Sequence, residues 1–315
     1  MELATISFRE GTAADLADTF AISERAMRDI AERQGITAIG PEPSEADIRS
    51  HWLRNRSLIE FIAAQDGDYW ICENEDGPVG YARVLRFARM EHLTELMVLP
   101  GHQSKGIGRA LLERCWPHQP SPDLGRLVVA TGGPPDLSLY MGFNVMPVAG
   151  HWHMRQPTES YLERRSHEDV TEPGVHVLKP DRAAAEWMRL EPEAIGHERP
   201  LLHEFFGRDR TCLGYVDQQT GETAGLCWVS SDGDIGPAVA RRPGDLVPVV
   251  LAALDRVAMT QEPEHLSVFA TSTSWWLLRR LRTVGFRVYW PSWILCSEPV
   301  PGLDRYVPTR PPNLL

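Results

Sequence analysis

A chain of 315 residues is long enough for about two domains, and 43% hydrophobic with 24% charged residues excludes a disordered or fibrous protein. The formal charge of −11 speaks against wholesale binding to nucleic acid or an anionic membrane, both of which reward basic patches; a cationic small molecule suits it better. There is no run of about 18 apolar residues and no basic-then-apolar leader, so the expectation is a cytoplasmic protein; Cys72, Cys115, Cys212, Cys227 and Cys296 form no C-x-x-C pair and indicate neither disulfides nor zinc.

Ile6 to Arg9 reads as a short strand, and Thr12 with Asp15 three residues on as the cap of a helix that runs to about Gln34, where Gly35 ends it. Pro41, Pro43 and Ser44 start a second helix through Ile48, Trp52 and Leu53, followed by an apolar stretch from Leu58 to Ala64. Tyr69 to Glu73 and Val79 to Phe87 are strands joined across Asn74-Glu75-Asp76-Gly77, a hairpin signal. Glu91 to Leu99 alternates and then turns solidly apolar, as a strand entering a core does, and Pro100 stops it.

Gln103-Ser104-Lys105-Gly106-Ile107-Gly108 follows and leads directly into Ala110, Leu111, Leu112 and Cys115 at helical spacing. A glycine-bearing loop at a helix N-terminus is an anion site, because the first amides of the helix lack intrahelical acceptors and the dipole adds to their positive potential. Glycine at 106 and 108 lets a phosphate reach the backbone, and Lys105 or Arg109 can add charge. Spacing rejects two other phosphate loops: Ile107 and Gly108 stand where a Walker loop needs Lys and Ser or Thr, and Leu111 stands where a dinucleotide fingerprint needs its third glycine.

Leu127 to Ala130 then reads as a buried strand, Leu139-Tyr140-Met141-Gly142-Phe143 follows, and Pro157 to Gly174 with its charged run reads as a linker. Beyond it the signals repeat: strand at Val175 to Leu178, helix at Ala183 to Leu190, hairpin from Thr211 to Ser230, Ala238-Val239, helix from about Asp245 to Met259, strand at Leu266 to Ala270, and helix at Trp275 to Thr283 ending in Gly285-Phe286. Gly142-Phe143 and Gly285-Phe286 stand 143 positions apart, and Val98 and Val239 stand 141 apart, so the chain contains an internal repeat.

The strand ending in Val-x-Pro, the Gln-x-x-Gly-x-Gly loop and the helix together resemble motif A of the GNAT superfamily of N-acetyltransferases. The resemblance implies an α/β (α+β) fold of two tandem GNAT-like domains, each a mixed, mostly antiparallel sheet flanked by helices. It implies a catalytic domain at 1–156, a linker at 157–173 and a degenerate GNAT-like domain at 174–315. It further implies that Met97, Val98 and Leu99 hold the pantetheine and acetyl parts of acetyl-coenzyme A, that Gln103, Ser104, Lys105, Gly106, Ile107, Gly108 and Arg109 hold its pyrophosphate, and that the Val98 amide meets the developing oxyanion. Two departures stand out. Tyr140 lies two residues before Gly142 where the family's tyrosine lies four before, and Gly132-Gly133-Pro134-Pro135 leaves little room for a full preceding helix. In the second unit Val247 and Val249 replace the loop glycines and Leu281 the tyrosine, which removes both the pyrophosphate site and the acid.

Acetyl transfer to an amine needs a neutral amine, a polarised carbonyl and a proton for the leaving thiolate. A lysine-like amine of pKa about 10.4 costs about 4 to 5 kcal/mol to deprotonate at pH 7, so a base is expected. Alternation puts Glu91 and Glu95 on one face of their strand and His92 on the other; Glu95 is the first candidate base, His92 the second, and Tyr140 the candidate acid. His151-Trp152-His153 places two imidazoles on one face without a third ligand, which favours a half-buried strand over a metal site. Trp275, Trp276, Trp290 and Trp293 read as packing residues. The expectation is therefore an acetyl-coenzyme A-dependent N-acetyltransferase acting on a primary amine, with no metal, no nucleic acid and no membrane partner, and a homodimer is compatible with it. The competing reading is a regulatory protein that binds acetyl-coenzyme A without turnover, motivated by the displaced Tyr140 and the missing second loop.

Overall fold

Thr12 donates to Asp15 through both its amide and its hydroxyl, 2.8 Å each, and so starts the first long helix where the sequence places it. The computed structural model describes residues 6–36, 43–116, 123–167, 174–311 and 314–315. It divides into two units, Met1–Met146 with Leu295–Glu298 and Pro147–Ile294 with Pro299–Leu315.

In chain order the first unit holds β1 (Ser7–Glu10), α1 (Leu16–Arg33), α2 (Glu45–Ala63), β2 (Gly67–Asn74), β3 (Gly77–Phe87), β4 (Met90–Val98), α3 (Ile107–Cys115), β5 (Gly125–Ala130) and α4 (Pro134–Met141). Ser44 caps α2 in a reciprocal box with Asp47; Pro41, also read as part of this start, lies outside the described residues. The Asp76 amide donates to the Asn74 side chain at 3.0 Å, which tightens the β2–β3 hairpin. β1 to β4 are mutually antiparallel in order, and β5 lies parallel to β4. One face of the sheet packs Val84, Leu93 and Phe143 against Ile107, Leu111 and Leu112 of α3; the other packs Tyr81, Ile71, Met97 and Leu99 against Ile22 of α1.

The second unit continues with β6 (Met146–Pro157), α5 (Thr158–Ser166), β7 (Val175–Val177), α6 (Pro180–Ile195), α7 (Pro200–Phe206), β8 (Thr211–Val216), β9 (Thr223–Val229), β10 (Ile235–Ala240), α8 (Leu246–Thr260), β11 (His265–Thr271), α9 (Trp275–Thr283), β12 (Arg287–Cys296) and β13 (Tyr306–Val307). From β7 to β12 the order strand, helix, helix, three strands, helix, strand, helix, strand repeats that of β1 to β6. The chain is thus two copies of one mixed α/β plan with sheets flanked by helices. The core of the second copy sits on α8, whose Leu246, Val249, Val250 and Leu254 are fully buried.

The boundary differs from the expected one. The second unit begins at Pro147, and residues 158–166 of the expected linker form α5. Tyr161 and Arg165 lie one turn apart on that helix and both reach Asp255 of α8, the tyrosine hydroxyl at 2.6 Å, so a charged run that reads as solvated spacer is tied down on one face. Residues 168–173 lie outside the described set. Trp275 and Trp276 are 65% and 63% exposed, against the packing role expected of them, while Trp290 is buried. No described helix is long and apolar enough to cross a membrane.

Candidate active site

β4 carries an extra residue. Leu93 pairs with Val84 of β3 and Glu95 with Arg83, so Thr94 has no partner of its own. A bulge of this kind breaks strict alternation and bends the strand. Glu91 and His92 therefore keep opposite faces, but Glu95 shares the face of His92, which corrects the expected pairing of Glu91 with Glu95. Glu91 points to the α3 side and is held by Arg86 (3.1 Å) and Arg126 (3.4 Å).

The bend also parts two strands. β5 pairs with β4 only from Met90 to Leu93, and from Thr94 onward that edge of β4 has no strand beside it among the described residues. The Leu99 amide donates to Val79 of β3 at 2.9 Å, so residues 97 and 99 address β3 while Leu96 and Val98 turn their backbone groups to the open edge. Between the parted strands lies a cleft of about 380 Å³, lined by β4 from Leu93 to Val98, by Val128 to Gly133, by Ala26, Ile30 and Arg33 of α1, by the glycine loop, and by Asp136 and Tyr140 of α4.

At its mouth the loop amides from Ser104 to Arg109 have no protein acceptor among the described residues. Gly106 caps α3 at φ 83°, a left-handed conformation that glycine adopts without penalty, and a Cβ on Gly106 or Gly108 would project into open space. A row of amide donors thus faces open space at the start of a helix, an arrangement suited to an anion. Ser104, Gln103 and Arg109 also line the cleft, Lys105 is exposed beside it, and the Ile107 side chain is buried in the core, leaving its amide alone for binding. Met97 lines the cleft. Leu99 does not line it, since its amide is taken by Val79 and its side chain packs with the α1-side core.

Glu95 is 8% exposed and lines the cleft. Its Oε1 accepts from the Tyr81 hydroxyl at 3.0 Å and its Oε2 lies 3.0 Å from Arg83, itself 2% exposed and stacked over the Tyr69 ring at 4.4 Å. The Thr94 hydroxyl also donates to Oε2, at 3.4 Å, and Oε1 keeps a second acceptor position, so these contacts orient Glu95 without exhausting it. Burial, followed by the nearby Glu95 charge, keeps the Tyr81 phenol well above its ordinary pKa and hence a donor. The sequence reading missed Arg83 and Tyr81, although an arginine inside the apolar run Val79-Gly80-Tyr81-Ala82-Arg83-Val84-Leu85 calls for a buried carboxylate opposite. His92 is buried beside Leu85 and does not line the cleft.

Pro134 and Pro135 occupy the first turn of α4, where a missing amide costs nothing, so the stretch that reads as too short for a helix begins one. Tyr140 lies on it, buried, and lines the cleft with no hydrogen-bond partner for its hydroxyl among the described residues. Burial, and secondarily Asp136 one turn earlier, pushes its pKa well up, so it holds its proton. Burial likewise raises the Asp136 carboxyl, against the pull of Arg33.

The corresponding place in the second unit is filled. β10 also carries an extra residue, between Ile235 and Ala238, but β13 pairs with it there, Val307 opposite Ala238 and Tyr306 opposite Val239. Leu303, just before β13, accepts from the hydroxyls of Thr271 at the end of β11 and Ser274 before α9. The Tyr306 hydroxyl donates to Glu191 at 3.1 Å, and Glu191 also binds Arg199 at 2.5 Å and His203 at 2.7 Å, all four side chains being buried. Burial works to raise the Glu191 carboxyl, but Arg199 and His203 hold it far below its ordinary range. Leu246 and Val249, in the first turn of α8, are fully buried in the core. His203 belongs to this buried network, and His151 and His153 are buried against Phe269, the second with its pKa lowered to about 3 by burial. No group of three metal-ligating side chains occurs among the described residues.

The acetyltransferase (GNAT) domain family matches residues 65–137, from the start of β2 into α4. A candidate acetyltransferase from Pyrococcus horikoshii has a similar fold with a TM-score of 0.65 at 17% identity, covering 97% of this chain and 94% of its own. A tandem GNAT protein from the clavulanic acid biosynthesis pathway gives 0.62 at 18% over 94% and 99%, and a GCN5-related N-acetyltransferase from Sphaerobacter thermophilus 0.57 at 18% over 95% and 98%. The chain accordingly carries a match to the acetyltransferase (GNAT) domain family within its first unit and shares its fold along nearly its whole length with a tandem GNAT protein.

Proposed function

We propose that the first unit transfers the acetyl group of acetyl-coenzyme A to a primary amine of a small molecule by direct attack, and that the second unit carries no second site. The observation that carries this reading is the open edge of β4 joined to a row of unbonded loop amides. Acetyl-coenzyme A, when bound, supplies a thioester carbonyl activated toward an amine. The amides of Gly106, Ile107, Gly108 and Arg109 would hold its pyrophosphate, and the Val98 amide offers a donor to the carbonyl oxygen. Glu95 takes the proton the amine must lose, and the Tyr140 hydroxyl holds one for the departing sulfur.

The test is calorimetric titration of acetyl-coenzyme A with stoichiometry fitted freely, followed by mass-spectrometric detection of acetylated products across a panel of primary amines. One site per chain and at least one product support the reading; binding with no product from any amine would favour the regulatory alternative. Tyr140→Phe should lower kcat about a hundredfold while leaving acetyl-coenzyme A affinity within about twofold, the size of a lost general acid. Because the phenol pKa is raised, the wild type should show no alkaline loss of rate from this group up to about pH 10. An equal rate in Tyr140→Phe would remove it from the chemistry. Glu95→Gln keeps the Tyr81 contact and should also cost about a hundredfold in kcat. Since Glu95 neutralises buried Arg83, rates are to be compared where circular dichroism reports a folded variant. An unchanged kcat in a folded Glu95→Gln protein would pass the base role to another group.

A further inference from the structure

The last turn of α1 touches both lips of the cleft. On the β4 side, the Gln103 Nε2 donates to the Val98 carbonyl at 3.1 Å and to Asp29 Oδ2 at 3.3 Å, while its Oε1 accepts from Arg33 Nη2 at 3.1 Å. Asp29 and Arg33 are themselves paired at 2.8 Å. On the other side, Gln34, which caps α1, donates through its Nε2 to the carbonyl of Thr131, immediately after β5, at 2.9 Å.

Three consequences follow from the chemistry of these contacts. The side-chain amide of Gln103 is fully engaged by protein groups, so this glutamine braces the loop and does not reach for phosphate. The Val98 carbonyl is capped, so the group that Val98 offers the cleft is its amide hydrogen alone. And because one helical turn holds both the loop side and the β5 side, it sets the width of the slot where β4 and β5 have already parted and no ladder bond holds them.

We propose that Asp29, Arg33 and Gln34 are positioning residues that clamp the acyl-carrier slot through Gln103, Val98 and Thr131. None of the three belongs to the glycine loop or to β4. The clamp rests on the acetyltransferase reading of the cleft for its purpose, but its mechanics can be tested without ligand.

The experiment compares Asp29→Ala, Gln103→Ala and the double variant by calorimetry with acetyl-coenzyme A and by amide hydrogen exchange of the ligand-free proteins. Each single variant should weaken acetyl-coenzyme A about tenfold, and the double variant no more than either, because both changes break one chain of contacts. Exchange over residues 98–106 should speed up equally in all three, with melting temperatures within about 2 °C of wild type, since Asp29 contributes no core area. Arg33→Lys keeps a donor for Gln103 and should restore binding to within about twofold. Effects that multiply to about a hundredfold, or unchanged exchange over 98–106 in Asp29→Ala, would overturn the clamp. Faster exchange in a protein that binds no acetyl-coenzyme A would uphold the clamp and sink the acetyltransferase reading alone.

Discussion

Replacing Gly106 with valine should abolish measurable binding of acetyl-coenzyme A. Two physical costs coincide at this position. The residue sits at φ 83°, where an L-residue loses roughly 1–2 kcal/mol and a β-branched one more. Its Cβ would also enter open space in front of the helix amides, the volume a pyrophosphate needs. Relief of the strain moves the loop, and blocked access removes charge-assisted bonds of about 1.5–3 kcal/mol each. Losing two of them raises Kd by more than a hundredfold. The fold should survive, because Gly106 is exposed and caps a helix whose core contacts come from Ile107, Leu111 and Leu112. Calorimetry beside the wild type checks this. Near-normal affinity in a folded Gly106→Val protein would mean that the pyrophosphate does not lie on this loop.

Tyr306→Ala should have the largest effect on stability. The ring is fully buried in β13 and its hydroxyl ties the strand to Glu191 and Arg199, so truncation leaves a cavity and a loosened ion pair together. Large-to-small changes of this kind cost about 3–5 kcal/mol, a large part of the 5–15 kcal/mol that holds a typical domain. Chemical denaturation should show the unfolding midpoint of the variant moving to clearly lower denaturant than that of the wild type. The stoichiometry of acetyl-coenzyme A should stay at one per chain, since the start of α8 remains packed into the core through Leu246 and Val249. Unchanged stability would show that β13 is an ornament, and a second bound equivalent would show that β13 alone keeps the second slot shut.

The elements of both units were legible because their signals are local. Thr12 and Ser44 cap helices through a carboxylate three residues on, the Asn74 to Gly77 turn closes a hairpin, and the run into Pro100 followed by Gly106 and Gly108 can only be a strand meeting a helix N-terminus. The internal repeat was legible from two glycine–phenylalanine pairs. What escaped depends on contacts distant in sequence. Counting by twos cannot register that Thr94 is unpaired, and this alone put Glu95 on the wrong face relative to His92. The partners of Glu95 stand on another strand, and the role of Gln103 is set by a helix some 70 residues earlier. Prolines at 134 and 135 read as obstruction, yet they favour a helix start when they fall in its first turn. Nothing in the sequence near Tyr306 announces a strand, because a two-residue strand has no periodicity to read.

Thr94 makes the width of the cleft a matter of chain length. Side chains there can be exchanged without altering the bend, whereas removing the residue would leave Leu93 opposite Val84 and Glu95 opposite Arg83 in one unbroken ladder. β4 would then run straight enough for β5 to keep pairing past Leu93, zipping up the space the acyl carrier needs while every recognisable motif residue remained in place. The second unit keeps the same surplus residue in β10 and so inherits the same opening. One copy leaves that opening to a visitor and the other has given it a permanent tenant, so the two halves have diverged by occupancy of a shared backbone defect more than by architecture.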